Sequence, residues 1–214
     1  MSSNEIICKK YEAMSQGVLS ALEARGYEAY YCADRTAALQ KTLELIKHGS
    51  SVSCGGSRTL VDCGIINALK TGDYTVIDRA NAKTPEEKEN VLRAALTVDT
   101  YLSSVNAMTE DGIMINIDGN GNRIAAIAYG PKNVILVVGM NKICRDTAEA
   151  HKRAKHFAAP ANAIRLSTDT PCAKTGVCHD CKSPACICCQ TVEMRFCRER
   201  GRIKVLLVGE TLGL

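Results

Sequence analysis

The 214-residue sequence predicts an α/β fold: a mostly parallel sheet, helices on both faces and one inserted β-hairpin. Three observations carry this. Strand-like runs alternate with helix-like periods through the first hundred residues, the order that builds βαβ units. Residues 133–138 form an apolar, β-branched run of the kind found in a strand buried on both faces. Between residues 112–117 and 123–128, the stretch Asp118-Gly119-Asn120-Gly121-Asn122 supplies turn residues that tolerate positive φ, which predicts a hairpin there.

Taken in order, residues 4–25 read as a helix, with Ile6, Ile7, Met14, Val18, Leu19 and Leu22 on one stripe and Gly26 as its stop. Residues 27–32 read as a strand, and residues 35–48 as a helix with Leu39, Leu43 and Ile46 on one face. A short strand over 49–54 runs into Gly55-Gly56-Ser57-Arg58-Thr59 and a helix over about 60–69, followed by a strand at 74–78. Thr84-Pro85-Glu86-Glu87 is a helix start with a cap, a proline at the first position and a Glu three residues on; that helix runs to about Leu96. Residues 99–105 form the next strand, and the hairpin and the 133–138 strand follow. A helix over 146–157 and a last strand over 203–208 complete the list.

Composition narrows the function classes. Hydrophobic residues make up 46% of the chain, enough for a core, but with no Trp and two Phe that core must be aliphatic. The net charge of +4 is too small to announce a nucleic-acid or membrane partner, and no base-stacking aromatics are interleaved with the basic residues. The longest apolar run, residues 134–140, is far short of the ~20 residues that span a bilayer, so no membrane insertion is expected. The first residues lack the basic start and apolar core of a secretory signal. The expectation is a cytoplasmic chain, one domain over 1–214, whose thiols stay reduced.

Seven of the twelve cysteines are Cys172, Cys178, Cys181, Cys186, Cys188, Cys189 and Cys197. They include a CxxC (Cys178, Cys181) and a CxC (Cys186, Cys188). Thiolates this close repel one another unless a soft cation or oxidation neutralises them, and in a reducing compartment metal is the expected answer. Because a strand follows at 203–208, residues 170–200 are an excursion from the domain that a metal would pin.

Two places suit small-molecule chemistry. Gly55, Gly56, Ser57, Arg58 and Thr59 stand where a strand turns into a helix, so free amides, hydroxyls and a guanidinium can meet an anion; a tight turn with a helix cap is the equal alternative. Asn106, Glu110 and Asp111 follow the 99–105 strand, and Asn141 and Lys142 follow the 133–138 strand. Ligands of open α/β sheets bind beyond such strand ends. Glu110 is the candidate base or nucleophile and Lys142 the candidate anion contact, against the commoner reading of both as solvated side chains.

Gly55-Gly56-Ser57-Arg58-Thr59, Asn106-Ala107-Met108-Thr109-Glu110-Asp111-Gly112, Asp118-Gly119-Asn120-Gly121-Asn122-Arg123 with Tyr129-Gly130-Pro131-Lys132, and Val138-Gly139-Met140-Asn141-Lys142 together resemble the LUD, or lactate-utilisation, domain family. Ala158-Ala159-Pro160-Ala161-Asn162 and the cysteine tail add to the resemblance, which covers about residue 10 to the end. It implies a Rossmann-like fold similar to ribose-5-phosphate isomerase and the CoA transferases. It maps the family's cysteine pattern onto Cys172, Cys178, Cys181 and Cys188, spaced C-x5-C-x2-C-x6-C.

The implied role is in lactate oxidation to pyruvate, as a subunit beside iron–sulfur oxidoreductase subunits. Those partners favour a [4Fe–4S] cluster on the four thiolates; zinc is the alternative, although zinc ribbons present two CxxC pairs and this chain has one. In CoA transferases a Glu in a Glu-x-Gly setting forms an acyl intermediate. Glu110-Asp111-Gly112 resembles that setting, which implies that Glu110 faces the same crevice as Gly55–Thr59, with Asn106 and Lys142 stabilising charge. Three classes stand: a metal-bearing component of an organic-acid system, an enzyme acting on a sugar phosphate or CoA ester, and a metal-pinned interaction protein. The oligomeric state is open.

Overall fold

The computed structural model describes all residues 1–214. Its elements are α1 (Ser3–Ala24), β1 (Glu28–Cys32), α2 (Arg35–Glu44), β2 (Ser51–Cys54), α3 (Arg58–Asp62), α4 (Ile65–Thr71), β3 (Thr75–Ile77), α5 (Pro85–Ala94) and β4 (Thr100–Ser103). The second half comprises β5 (Ala107–Thr109), β6 (Met114–Asp118), α6 (Asn122–Tyr129), β7 (Asn133–Gly139), β8 (Ile143–Cys144), α7 (Thr147–Arg153), α8 (Ala159–Arg165), α9 (Pro171–Thr175), β9 (Gln190–Met194) and β10 (Ile203–Val208).

Six strands form one sheet in the order β1-β10-β7-β4-β2-β3, every neighbouring pair parallel. The aliphatic runs of β7 and β10 occupy its centre and feed two cores by strict alternation. Val134, Leu136, Val138, Val205 and Leu207 pack on one face with Val18 and Leu22 of α1 and Ala126 and Ile127 of α6. Ile135, Val137, Leu206 and Val208 pack on the other with Ala38 of α2, Leu60 of α3 and Ile65 and Leu69 of α4. The α5 start is as the sequence predicts: Thr84 Oγ1 accepts from the Glu87 amide at 3.1 Å while Glu87 Oε2 accepts from the Thr84 amide at 3.2 Å. No helix is long and apolar enough to cross a membrane.

Four elements differ from the sequence expectation. Residues 123–128 are not the second arm of a hairpin but helix α6, because Asp118 Oδ2 accepts from the amides of Arg123 (3.1 Å) and Ile124 (3.2 Å) and caps it. The hairpin is formed instead by β5 and β6, turning at Glu110-Asp111-Gly112, where Gly112 has φ +85°. The expected 60–69 helix is two helices, since Gly64 at φ +71° breaks it. The cysteine excursion is also partly regular: it carries α9, and its β9 joins a second sheet of order β8-β5-β6-β9, with Gln190 opposite Asp118 and Met194 opposite Met114.

A buried arginine closes the α6 end. Arg202, just before β10, donates from Nη1 to Ile127 O (2.8 Å), from Nη2 to Ala126 O (3.3 Å) and from Nε to Pro131 O (3.0 Å). No carboxylate pairs with it; the carbonyls at the negative end of the helix dipole take that place. Arg202→Met removes the guanidinium donors to those carbonyls, of which only Ala126 O keeps another partner, the Gly130 amide, and the expected loss of stability is roughly 2–3 kcal/mol, read by urea denaturation against the wild type.

Candidate anion-binding cleft

A cleft of about 250 Å³ opens beyond the carboxyl ends of the parallel strands. Each wall is a segment that follows a strand: Gly55–Thr59 after β2, Arg79 after β3, Ser104–Asn106 after β4 and Lys142 after β7. This is where an open α/β sheet leaves room for a ligand. Arg165 and Asn162 of α8 close one side, and Cys186 and Ile187 from the excursion close another.

Both glycines have side chains packed close against them. A Cβ on Gly55 would stand 2.9 Å from Ser103 Oγ and 3.2 Å from Tyr101 Oη, and one on Gly56 would collide with the Arg79 guanidinium. The amides of the turn are only partly free. Gly55 N donates to Leu102 O at 2.8 Å, Ser57 N to Gly55 O at 2.7 Å, and Ser57 Oγ caps α3 by accepting from the Leu60 amide. For Gly55 and Ser57 the expectation of outward-facing amides is therefore corrected: the tight turn consumes both. The amides of Gly56, Arg58 and Thr59 make no hydrogen bond within the chain.

Lys142 lies at the floor, 3% exposed. Its Nζ donates to Thr59 Oγ1 (3.0 Å), Ser104 Oγ (3.0 Å) and Val105 O (3.3 Å), and no carboxylate pairs with it. Burial first, then the neighbouring Arg153 and Arg123, push its pKa down to about 7. Asn106 and Arg123 hold the opposite wall. Asn106 Oδ1 accepts from the Ile117 amide (2.9 Å) and Arg123 Nη2 (2.9 Å), while Arg123 Nη1 reaches Ser104 O (3.0 Å) and Asn116 Oδ1 (2.8 Å). Burial holds Arg123 below the usual arginine pKa.

Glu110 is elsewhere. Instead of one long strand ending at the sheet edge, β4 stops at Ser103 and the chain passes into β5, so Glu110 lies at the far end of the β5–β6 hairpin. It is exposed, it does not line the cleft, and the neighbouring Asp111 is paired with Arg25 at the end of α1. The idea of a shared Glu110–Ser57 crevice is corrected accordingly. Sequence reasoning also missed Arg79 and Arg165. Arg79 follows β3, and the strand-end rule that singled out Lys142 reaches it too; nothing in the sequence marks Arg165.

Cys172, Cys178, Cys181, Cys186 and Cys188 line a second cavity of about 20 Å³, together with His179 and Lys155. Cys186 Sγ stands 3.1 Å from Cys188 Sγ. No three His, Cys, Asp or Glu side chains converge at metal-binding distance. Cys197 is separate, buried in the main core, and Cys189 is exposed. Cys186 and Ile187 line both cavities, so the two share a wall.

A family model for the LUD domain matches residues 16–208. Among solved structures, the chain is similar to a DUF162 family protein from Deinococcus radiodurans, with a TM-score of 0.53 and 11% identity over 92% of this chain and 98% of that one. At that identity the likeness concerns the fold. No curated protein matches the sequence.

The Lys142 environment has a pH signature. The folded state gives up this proton near pH 7, while the unfolded chain keeps it to about 10.4. Unfolding in that window takes up a proton, so stability rises with pH across it. Relative to Lys142→Met, the wild type is expected to gain up to about 1.4 kcal/mol per pH unit between pH 7 and 10, and nothing below pH 6. Denaturation curves for both proteins at several pH values check this; a difference independent of pH means that Lys142 stays charged throughout.

Proposed function

The chain belongs to the LUD-domain family, and we propose that it is a component of a lactate or related organic-acid utilisation system, holding a small anionic substrate in the cleft beside a cysteine-held metal centre. The observation that carries the reading is charge. Arg58, Arg79, Arg123, Arg165 and Lys142 line the cleft, and the one carboxylate among the lining side chains, Asp118, is engaged with the amides of α6. Arg58 is paired with Asp62 and Arg123 lies 3.8 Å from Asp118, but Arg79, Arg165 and Lys142 have no carboxylate partner; cations without counter-charge favour an anionic ligand. Lys142 exchanges between ammonium and amine near neutral pH, so it suits proton transfer at a hydroxyl or carbonyl held at the floor, with the Thr59 and Ser104 hydroxyls orienting it.

The cleft reading is tested by thermal melts against a panel of small organic acids and phosphate esters. At a ligand concentration one hundred times Kd, binding stabilises by about 2.7 kcal/mol, which raises the Tm by several degrees. At least one anion is expected to give a saturable rise; a panel that leaves the Tm unchanged up to 10 mM defeats the proposal.

For the metal, Cys172, Cys178, Cys181 and Cys188 are the proposed ligands, and Cys186 lines the same cavity. An all-thiol donor set suits a [4Fe–4S] cluster, with zinc the alternative. A cluster would supply one-electron transfer to iron–sulfur oxidoreductase partners. Either centre would hold together the two ends of the loop between α9 and β9. Anaerobically purified protein is expected to contain about four iron and four sulfide per chain, or about one zinc, with Cys178→Ser and Cys181→Ser losing most of it. Anaerobic protein free of iron and zinc counts against the assignment.

A further inference from the structure

We infer that the mouth of the cleft is a phosphate site, and that the ligand is a small phosphate monoester with a hydroxylated carbon chain rather than a simple monocarboxylate. The inference rests on the reading of the cleft as an anion site and specifies the anion.

Two guanidiniums from distant parts of the chain converge on Gly56, and Arg58 lines the same cleft. The Arg79 guanidinium, after β3, lies over the Gly56 Cα, in the space that a Cβ would take. Arg165, from α8, donates from Nη2 to Gly56 O at 3.2 Å. Arg58 is two residues on and starts α3. Arg58 has a partner, Asp62, at 2.7 Å. Arg79 makes no ion pair, and Arg165 is tied only to the neutral Asn162 and Gly56 oxygens. Burial, and then Arg79 and Arg58, hold the Arg165 pKa below its ordinary value, so the like charges act on one another.

Two guanidiniums that both reach Gly56 without a carboxylate partner repel one another, and an anion held between them relieves that repulsion. A monocarboxylate neutralises one of them. A phosphate monoester carries about −1.5 to −2 at pH 7 and offers three acceptor oxygens, which matches two arginine forks in both charge and geometry.

The rest of the cleft fits a hydroxylated chain. Ser104, Asn106 and Asn162 line it together with the arginines and Lys142. The aromatic side chain in the lining, Tyr101, is 2% exposed and offers no platform for a nucleotide base. A chain of a few carbons anchored at Gly56 would place a hydroxyl or carbonyl oxygen toward Lys142.

Titration calorimetry at constant ionic strength with glycerol 3-phosphate, inorganic phosphate, sulfate and lactate tests this. Glycerol 3-phosphate is expected to bind at least tenfold more tightly than lactate. Arg79→Gln and Arg165→Gln should each weaken it at least tenfold; both side chains are exposed, so the fold is kept. Arg198→Gln, an equal change of charge outside the cleft, should leave binding unchanged. Lactate binding as tightly as glycerol 3-phosphate, or Arg79 and Arg165 variants no weaker than Arg198→Gln, overturns the phosphate assignment and leaves the anion cleft standing. Absence of binding by every anion overturns both.

Discussion

Strand β10 lies between β1 and β7, and the arrangement of the molecule depends on that placement. Ile203–Val208 pairs along its whole length with Val134–Gly139 on one side, and Lys204–Val208 with Glu28–Cys32 on the other. Its side chains enter both cores. A strand in the middle of a sheet cannot fray without exposing both faces, so everything between β7 and β10 is tied at both ends to the most buried part of the protein. The cysteine loop is therefore a closed excursion. It is long enough to add β9 to the second sheet and to lay Cys186 and Ile187 along the cleft, and it is anchored well enough to stay there.

Arg123 provides the corresponding tie between the two sheets. Its guanidinium bonds Ser104, at the end of β4 in the first sheet, and Asn116 and Ile117 of β6 in the second, with Asn106 bridging the step from one to the other. Burying a guanidinium is costly unless its donors are satisfied, and here four oxygens satisfy them. The polar stretch Asp118-Gly119-Asn120-Gly121-Asn122-Arg123 thus does two jobs that its composition alone does not distinguish. It turns the chain, as a hairpin loop would, and it caps and roots a helix.

The legible part of the fold was the part set by local chemistry. The aliphatic runs of β7 and β10, the Thr84–Glu87 capping box and the strand–helix alternation each depend on residues adjacent in sequence, and each occurs in the structure. The strand-end rule led to Gly55–Thr59, Asn106 and Lys142, because parallel topology delivers all such segments to one edge. It misled at Glu110, because a strand that ends at the sheet edge and one that hands over to a second sheet read alike in sequence. Arg79 and Arg165 come together only in three dimensions, some 86 positions apart, so no spacing could pair them. Nor could the sequence show that Gly55 and Ser57 spend their amides inside their own turn.

The shared wall joins the two chemical features of the chain. Cys186 and Ile187 face the thiol cavity on one side and the cationic cleft on the other, while a Cβ on Gly119 would stand 3.3 Å from the Ile187 Cα. Immediately beyond, Gln190 begins the β9 pairing with Asp118, and its side chain covers Gly121. There is no long spacer between the thiols and the cleft: four residues after Cys186 the chain enters β9. A rearrangement that moves Cys186 or Cys188 acts directly on Ile187, which lies against Gly119, and so on that part of the cleft wall. A thiolate centre of the kind proposed would be anionic and would face a cleft rich in arginine and lysine across this wall, so its charge and that of a bound anion would draw on the same cations. The placement of β10 thus makes the two sites neighbours in shape and in electrostatics.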